Sequence, residues 1–453
     1  MGTIGSGTCA VHRKIAASIA PALARFLPTT DIRKWAQQGG MTFRSGLYSP
    51  EIALRQCVSK HISPQSARAL ESDLASNARV LKQQHSKRLP EKTPDGKDFC
   101  HARAHLPLLL FREALACVAK RSCAATADRY KGLTIAMLDG TTTAVPRTEK
   151  NNTHFKMSSN QHGQGRFPIV RLALFFCAGL VSALSVAPYH TGELAQAAQL
   201  LLTVPENLLL LADALYGSFV NLVLITRRHS HLICPRHVNR KGQTIKRLGP
   251  GEWLERLSKP RPVHCHCPEL LADMPESVAV RVIQRVVHRR GYRDFTLVLY
   301  TTLLDHREYP AEDIVALYLR RWCIELDIRT LKLQHGLAKP TCKSPETVER
   351  EIYSACLAFN CVRATMAETG HQVHRLSHAT AVQLLARSDA KMTFASRAMR
   401  AALVRAMLEL IGAAVLPHQL RPPAPRAVVH SARRFPYLKC TRKQWRAWHR
   451  AAA

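Results

Sequence analysis

Residues Leu133–Gly140 read LTIAMLDG, an apolar run of six that stops at Asp139-Gly140. Such a run is too short for a free-standing helix and ends on a turn signal, so it reads as a buried strand. A second run, Leu208–Asp213 (LLLLAD), has the same form and also ends on an aspartate. Between them, Ile169–Cys177 and Leu180–Val186 read as paired strands joined through Ala178-Gly179. Asn151–Phe167 is polar and reads as a loop. Thr191 can cap a helix running to about Leu202, and Gly217–Arg228 reads as another. From His229 to Arg293 the alternation is strand-like, with Arg281 and Arg285 set among β-branched residues. Phe295–Leu304 is a further strand. Pro310 then opens one long helix, with Glu312 and Asp313 in its first turn, that continues to about Gly336. Strands interleaved with helices give an α/β core carrying a β-rich insertion. Residues 1–130 read as helical, with Ser63-Pro64 as a helix start and Pro90–Lys97 as a loop.

The chain has 453 residues, enough for two to four domains. Its 65 Lys and Arg against 32 Asp and Glu leave a net charge of +33. A field of that sign selects polyanions, and nucleic acid before an anionic membrane surface. Residues 1–130 carry +11, and the 44 residues Leu410–Ala453 carry nine Lys and Arg with no acid. Fourteen cysteines are too few for a disulfide scaffold. The first six residues are small and polar, without a basic-then-apolar leader, so the thiols are expected reduced in a cytoplasm. The longest apolar stretch, Leu172–Ala187, falls short of the ~20 residues of a membrane-spanning helix.

Asp139 and Asp213 each follow a strand, and ligand-binding groups gather outside strand ends in open α/β sheets. Either aspartate alone is equally a turn cap. The long helix adds a third element, YLRRWCIELDIRTLK (Tyr318–Lys332). At about 100° per residue, Tyr318, Arg321, Glu325 and Lys332 fall within an arc of roughly 60°. Arg329 projects near this stripe, Asp327 on the opposite side toward solvent, and Leu317, Ile324, Ile328 and Leu331 form the face to bury. The ordinary alternative is a solvated face on which Arg321 and Glu325 pair four residues apart. Two Asp and one Glu suit hard divalent cations. Two Mg²⁺ ions ~3.5–4 Å apart would activate a water or a 3′-hydroxyl and stabilise the leaving oxygen. Tyr318, Arg321 and Lys332 would then meet DNA phosphates.

With those motifs, Asp139-Gly140-Thr141-Thr142, Asp213-Ala214-Leu215-Tyr216 and Tyr318-x2-Arg321-x3-Glu325-x6-Lys332, the chain resembles the bacterial insertion-sequence transposases of the D-D-E class, in the branch with the Y-R-E-K signature, insertion-sequence family four. FCHARAHLP (Phe99–Pro107), YHTGEL (Tyr189–Leu194) and KSPETVEREIYSACLAF (Lys343–Phe359) extend the resemblance, which covers about Thr42 to Asn360. Where many relatives have Arg-Gly after the second aspartate, Ala214-Leu215 stands here. The resemblance implies a ribonuclease-H-like catalytic core with a β-rich insertion and a helical N-terminal domain. On that frame residues 1–130 are a basic domain that binds DNA ends, 131–228 the first part of the core, and 229–293 the β-rich insertion. Residues 294–375 are the second part with the Y-R-E-K helix, and 376–453 a helical then basic tail. It further implies that Asp139, Asp213 and Glu325 are catalytic and bind two Mg²⁺, with Mn²⁺ as a substitute. Tyr318, Arg321 and Lys332 would bind phosphates, with double-stranded DNA (element ends and target) as partner and a homodimer on DNA. The location implied is the bacterial cytoplasm, at the nucleoid. A metal-dependent nuclease without strand transfer and a non-catalytic DNA-binding protein are the rival functions.

Other signals are weaker. Cys234-x2-His237 and Cys265-His266-Cys267 lack a standard zinc spacing, so ordinary thiols and surface histidines are expected. Cys323 is expected to pack. Trp445 and Trp448 among tail basics can stack bases or anchor the tail. Arg289, Arg290 and Arg293 are a phosphate-contact candidate.

Overall fold

The runs that end in Asp139 and Asp213 lie side by side as parallel strands of one sheet. A computed structural model describes residues 20–42, 48–63, 96–126, 128–160, 163–288, 294–393 and 395–417, with residues 444 and 447. The Arg289/Arg290/Arg293 cluster, Trp445 and Trp448, Pro64, and most of the 90–97 loop and the basic tail lie outside the described residues.

In chain order the described elements begin with helices α1 (Thr29–Gln38), α2 (Pro50–Ser59), α3 (Gly96–His105) and α4 (Leu108–Thr126). Strands β1 (Arg129–Tyr130) and β2 (Leu133–Ala144), helix α5 (Glu149–Phe155) and strands β3 (Met157–Asn160), β4 (Gly163–Cys177) and β5 (Leu180–Pro188) follow. Next come α6 (Glu193–Leu201), β6 (Leu208–Ala212), α7 (Phe219–Arg227), β7 (His231–Pro235), β8 (Gln243–Gly249), β9 (Glu252–Ser258), β10 (Ser277–Val287) and β11 (Phe295–Thr301). The chain continues through α8 (Ala311–Leu319), α9 (Trp322–Gln334), α10 (Pro345–Ala367), α11 (His378–Met392) and α12 (Arg397–Ala413).

The fold is mixed α/β around one large sheet. Its strand order is β3-β4-β2-β6-β7-β11-β10-β9-β8, with β5 on β4 and β1 on β2. β2, β6 and β7 are mutually parallel and β4 and β5 antiparallel to their neighbours. All five residues of β6 are buried, as a central parallel strand requires. Leu208, Leu210 and Ala212 face the core under α6 and α7, while Leu209 and Leu211 face that under α8. The β4–β5 hairpin turns at Ala178-Gly179, whose φ values of 53° and 72° are those of the tight turn that matches strand twist. The β-rich segment extends this sheet: β7, inside the stretch assigned to the insertion, pairs with β6 on one edge and β11 on the other. Its buried Arg281 is held by Glu252 at 2.6 Å.

Two local expectations need correction. The polar stretch 151–167 is not a loop throughout: it contains most of α5, all of β3 and the start of β4. Thr148 caps α5 by accepting from Asn151 N, and the fully buried Asn151 side chain donates to the carbonyls of Pro146 and Cys342. The cap of α6 is Gly192, one residue beyond Thr191.

α10 is buried along most of its length and organises one side of the sheet. Its start combines Ser344 and Thr347 in a reciprocal cap with Pro345. Among the described residues β5 pairs only with β4, which leaves an edge for α10 to cover. The buried Asn360 amide accepts from Val181 N at 2.9 Å and donates to Val181 O at 2.8 Å, and Tyr353 donates to Leu184 O. α2, α3 and α4 pack on the same helix and α1 packs on α2 and α4: Leu27, Ile32, Leu54, Phe99 and Phe111 belong to one buried cluster with Leu172, Leu174, Phe176 and Phe359. No helix among the described residues is long and apolar enough to cross a membrane.

Three buried histidines join distant segments. His61 Nδ1 donates to His335 O at 2.7 Å and His335 Nδ1 to His61 O at 2.9 Å. His335 Nε2 then accepts from His378 Nε2 at 2.8 Å. Burial holds His61 down at about 4, His335 at about 3, and His378 well below its usual value. All three are therefore neutral when folded, and their contribution is complete above the unfolded value near 6.5. It is lost as pH falls from there toward 4. Each should withdraw on the order of 1 kcal/mol by pH 5.5, so the urea midpoint should drop between pH 7 and 5.5, and less steeply in His378→Asn. A midpoint that stays flat contradicts neutral burial. Asn360→Leu leaves both Val181 groups unpaired and should cost about 2–5 kcal/mol by chemical denaturation.

Candidate active site

The parallel ladder between β2 and β6 ends at Leu138–Ala212. Asp139 and Asp213 are each one residue beyond that pair. Parallel neighbours in register project to the same face, so the two carboxylates emerge together. Asp139 is not at the end of its strand, as the turn signal implied. β2 continues to Ala144 because β4 pairs with it that far, whereas β6 stops and turns into a short 3-10 turn, Ala214–Tyr216. Asp139 Oδ1 accepts from Gly140 N and Asp213 Oδ1 from Ala214 N, which fixes one oxygen of each. Arg240 donates to Ala214 O at 2.8 Å and holds the turn from outside.

The expected single long helix is two helices. α8 ends at Leu319 and α9 begins at Trp322. Across the break Arg321 N bonds Tyr318 O at 2.9 Å and Ile324 N bonds Arg321 O at 3.0 Å, the tighter i to i−3 pattern. A uniform 100° wheel therefore does not hold across residues 319–322. Tyr318 is buried beneath α8 with its phenol against Arg321, and burial pushes its pKa up to about 12. Arg321 lies 3.7 Å from Asp139 Oδ2 and 2.8 Å from Glu325 Oε1. The structure thus gathers Asp139, Asp213, Tyr318, Arg321 and Glu325. Lys332 stands apart, roughly 10 Å farther along the axis of α9. It is half-buried, its ammonium pKa is lowered by burial, and that ammonium makes no hydrogen bond or ion pair among the described residues. Arg329 is exposed.

Asp327 is not solvent-facing. It is 8% exposed, on the flank of the Ile324–Leu331 face, and pairs with Arg363 of α10. Burial raises its pKa and Arg363 opposes the rise. Cys323, expected to pack, is exposed.

Burial pushes the Asp139 carboxyl up to about 6; Gly140 N–H and Arg321 pull it down, and Asp213 and Glu193 push it up. A desolvated carboxylate among like charges calls for a cation, and an all-carboxylate donor set is the chemistry that hard divalent ions take. The donor chemistry of Asp139, Asp213 and Glu325 is thus that of a site for a hard divalent ion. Here Arg321 stands between Asp139 and Glu325, and among the described residues no three His, Cys, Asp or Glu side chains are close enough to form a metal cage. Cys234, Cys265 and Cys267 are free thiols, Cys234 fully buried.

Sequence reasoning assigned no role to Glu193, Arg171, Tyr216 or Arg240. Tyr216 donates to Glu193 Oε1 at 2.7 Å, and Arg171 pairs with Glu193 Oε2 at 3.0 Å. An acid in the first turn of a helix is ordinary, so nothing in the sequence marks Glu193 beyond its place in the YHTGEL segment.

Comparison with known proteins bears directly on this arrangement. The Transposase DDE domain family matches residues 130–361, just over half of the chain and all of the elements that carry the carboxylates. The chain belongs to that family. Transposase InsG for insertion sequence element IS4, from Escherichia coli (strain K12), is 25% identical over 316 residues, which are 67% of this chain and 70% of that one. The family assignment is therefore an IS4-type DDE transposase. Among solved structures, a cryo-EM structure of the piggyBac transposase synaptic complex with hairpin DNA is similar at a TM-score of 0.40, with 9% identity over 88% of this chain and 85% of that one.

In this transposase the two acids of α9 should behave oppositely. Asp327→Ala strands the mostly buried Arg363 guanidinium and should lower stability by about 3–5 kcal/mol. Glu325→Gln, at a side chain 38% exposed, should change it by less than about 1 kcal/mol. Equilibrium denaturation of the two variants measures both.

Proposed function

We propose that this transposase cleaves DNA at the ends of an insertion sequence and joins the freed 3′-hydroxyl ends to target DNA, with Asp139, Asp213 and Glu325 holding two Mg²⁺ ions. The observation that carries the reading is the placement of Asp139 and Asp213 on one face at the end of the β2–β6 ladder, with Glu325 linked to Asp139 through Arg321. The core is read as ribonuclease-H-like. In chain order the strands β2, β4, β5, β6 and β7 are arranged third-second-first-fourth-fifth, with the second antiparallel to the first, which supports that reading. The relative's printed role, a transposase for an insertion sequence element, agrees with it.

When bound, the two ions would activate the attacking oxygen and stabilise the leaving one. The chain's own groups do the rest. The backbone bonds from Gly140 and Ala214 keep the aspartates aimed outward from the sheet end. Arg321 has the planar fork that grips a phosphate, and leaves Asp139 and Glu325 to do so. Tyr318 backs Arg321 from the buried side. Lys332, two turns away, would meet a phosphate farther along the strand, and the basic residues of the N-terminal region would bind the element end. Glu325 sits on an exposed rim, where a duplex can reach it. Two ends joined in one event call for a homodimer on DNA, in the cytoplasm at the nucleoid.

Full-length protein with a pre-cut end and a target plasmid tests this reading. Asp139→Asn, Asp213→Asn and Glu325→Gln should abolish Mg²⁺-dependent cleavage and joining while retaining salt-sensitive binding to end DNA. Cleavage that survives Glu325→Gln refutes the site. Wild-type cleavage without joining refutes the transposition step and leaves a nuclease.

A further inference from the structure

We propose that Glu193 is a positioning residue for the aspartate pair: one carboxylate that ties the segment after Asp139 to the segment after Asp213. The inference rests on the reading of those aspartates as the metal-holding pair. Past Leu138–Ala212 the β2–β6 ladder supplies no further hydrogen bonds, yet the two carboxylates lie just beyond it. Something else must set their separation.

Glu193, the first residue of α6, is placed to do so. Its Oε1 accepts from the hydroxyl of Tyr216 at 2.7 Å. Tyr216 is 1% exposed and closes the turn that Asp213 opens. The same oxygen lies 2.4 Å from the position a Cβ on Gly140 would occupy, and the Glu193 carboxyl carbon 2.7 Å from it. Gly140 does not have a positive φ, so glycine is required there for space and not for backbone freedom. The second oxygen, Oε2, is held by Arg171 at 3.0 Å. Arg171 belongs to β4, opposite Thr142 of β2, and is fixed in turn: its guanidinium lies 5.0 Å from the ring centre of Tyr189 and its carbonyl accepts from Gln196.

The result is a clamp with three attachment points. β4 anchors it through Arg171, the turn after Asp213 hangs from it through Tyr216, and the strand after Asp139 passes under it at Gly140. With both oxygens engaged by protein partners, Glu193 acts through its neighbours. Its negative charge adds to the field that draws a cation to Asp139.

The test uses the full-length protein without DNA and reads Mn²⁺ binding by electron paramagnetic resonance, with Mg²⁺ dependence of end cleavage as the second measure. Glu193→Gln and Glu193→Ala should weaken Mn²⁺ binding by about tenfold or more, as loss of an outer partner of a metal-bound carboxylate does. Metal-free binding to end DNA should be unchanged. Gly140→Ala should shift Mn²⁺ affinity in the same direction, since the methyl displaces the carboxylate. The Gly140→Ala/Glu193→Ala double variant should be no worse than the singles, because both act through one contact. Tyr216→Phe, which removes only the hydroxyl, should show a smaller loss of Mn²⁺ affinity while the protein stays folded. Wild-type Mn²⁺ affinity in folded Glu193→Gln overturns the proposal, whatever becomes of Glu193→Ala. Asp139→Asn and Asp213→Asn separate the two levels. If they lose Mn²⁺ and Glu193→Gln does not, only the clamp fails; if they retain it, the reading of the metal pair fails first.

Discussion

The site depends on where one strand pair stops. β2 and β6 are held together by five register pairs, four of them apolar on both sides and the fifth Thr134 opposite Leu208, and the two aspartates begin where those pairs end. Adjacent strands lie ~4.8 Å apart. Two carboxylates at about 5 Å, with an effective dielectric near 20, repel by roughly 3 kcal/mol. Such a juxtaposition persists only because the backbone bonds and apolar burial beneath it are worth more, and because positive charge is brought near. Arg321 supplies that charge from the junction of α8 and α9, which is why the break between them matters. The tightened turn lets Tyr318 stay in the core while Arg321 reaches the sheet end.

α9 is itself positioned from below. Asp327 pairs with Arg363 of α10, and His335 at its end joins His61 and His378. α10 is seated in turn by Asn360 and Tyr353 on the edge of β5. The carboxylate of Glu325 is therefore located by a chain of buried or mostly buried polar contacts, each intolerant of losing one partner. The exposed part of the site is free of such constraints.

Much of this was legible in the sequence. Short apolar runs ending in Asp139 and Asp213 announce buried strands, and Leu317, Ile324, Ile328 and Leu331 announce the face that α8 and α9 bury. What was not legible depends on partners far along the chain. Asp327 lies on the edge of the apolar arc of α9, where a polar residue reads as solvated unless Arg363 is known to face it. The break at Arg320-Arg321 contains neither Gly nor Pro, so no local signal marks it. The stretch after Asn151 looked like a loop by composition, yet the Asn151 side chain bonds to Pro146 and Cys342, and the latter lies outside any local window. Lys332 shares the arc of Glu325 in angle but not in height, a distinction that a wheel projection discards.

The packing of α1–α4 has a consequence for how the molecule can be divided. The step in composition near residue 130 looks like a place to cut, but Phe99 and Phe111 share one apolar interior with Phe176 and Phe359. Scissors applied there would bare a flank of α10, the same helix that seats Glu325. The basic leading helices are thus no detachable reader bolted onto an independent engine. An exchange of that region between relatives would have to carry its half of the interior with it.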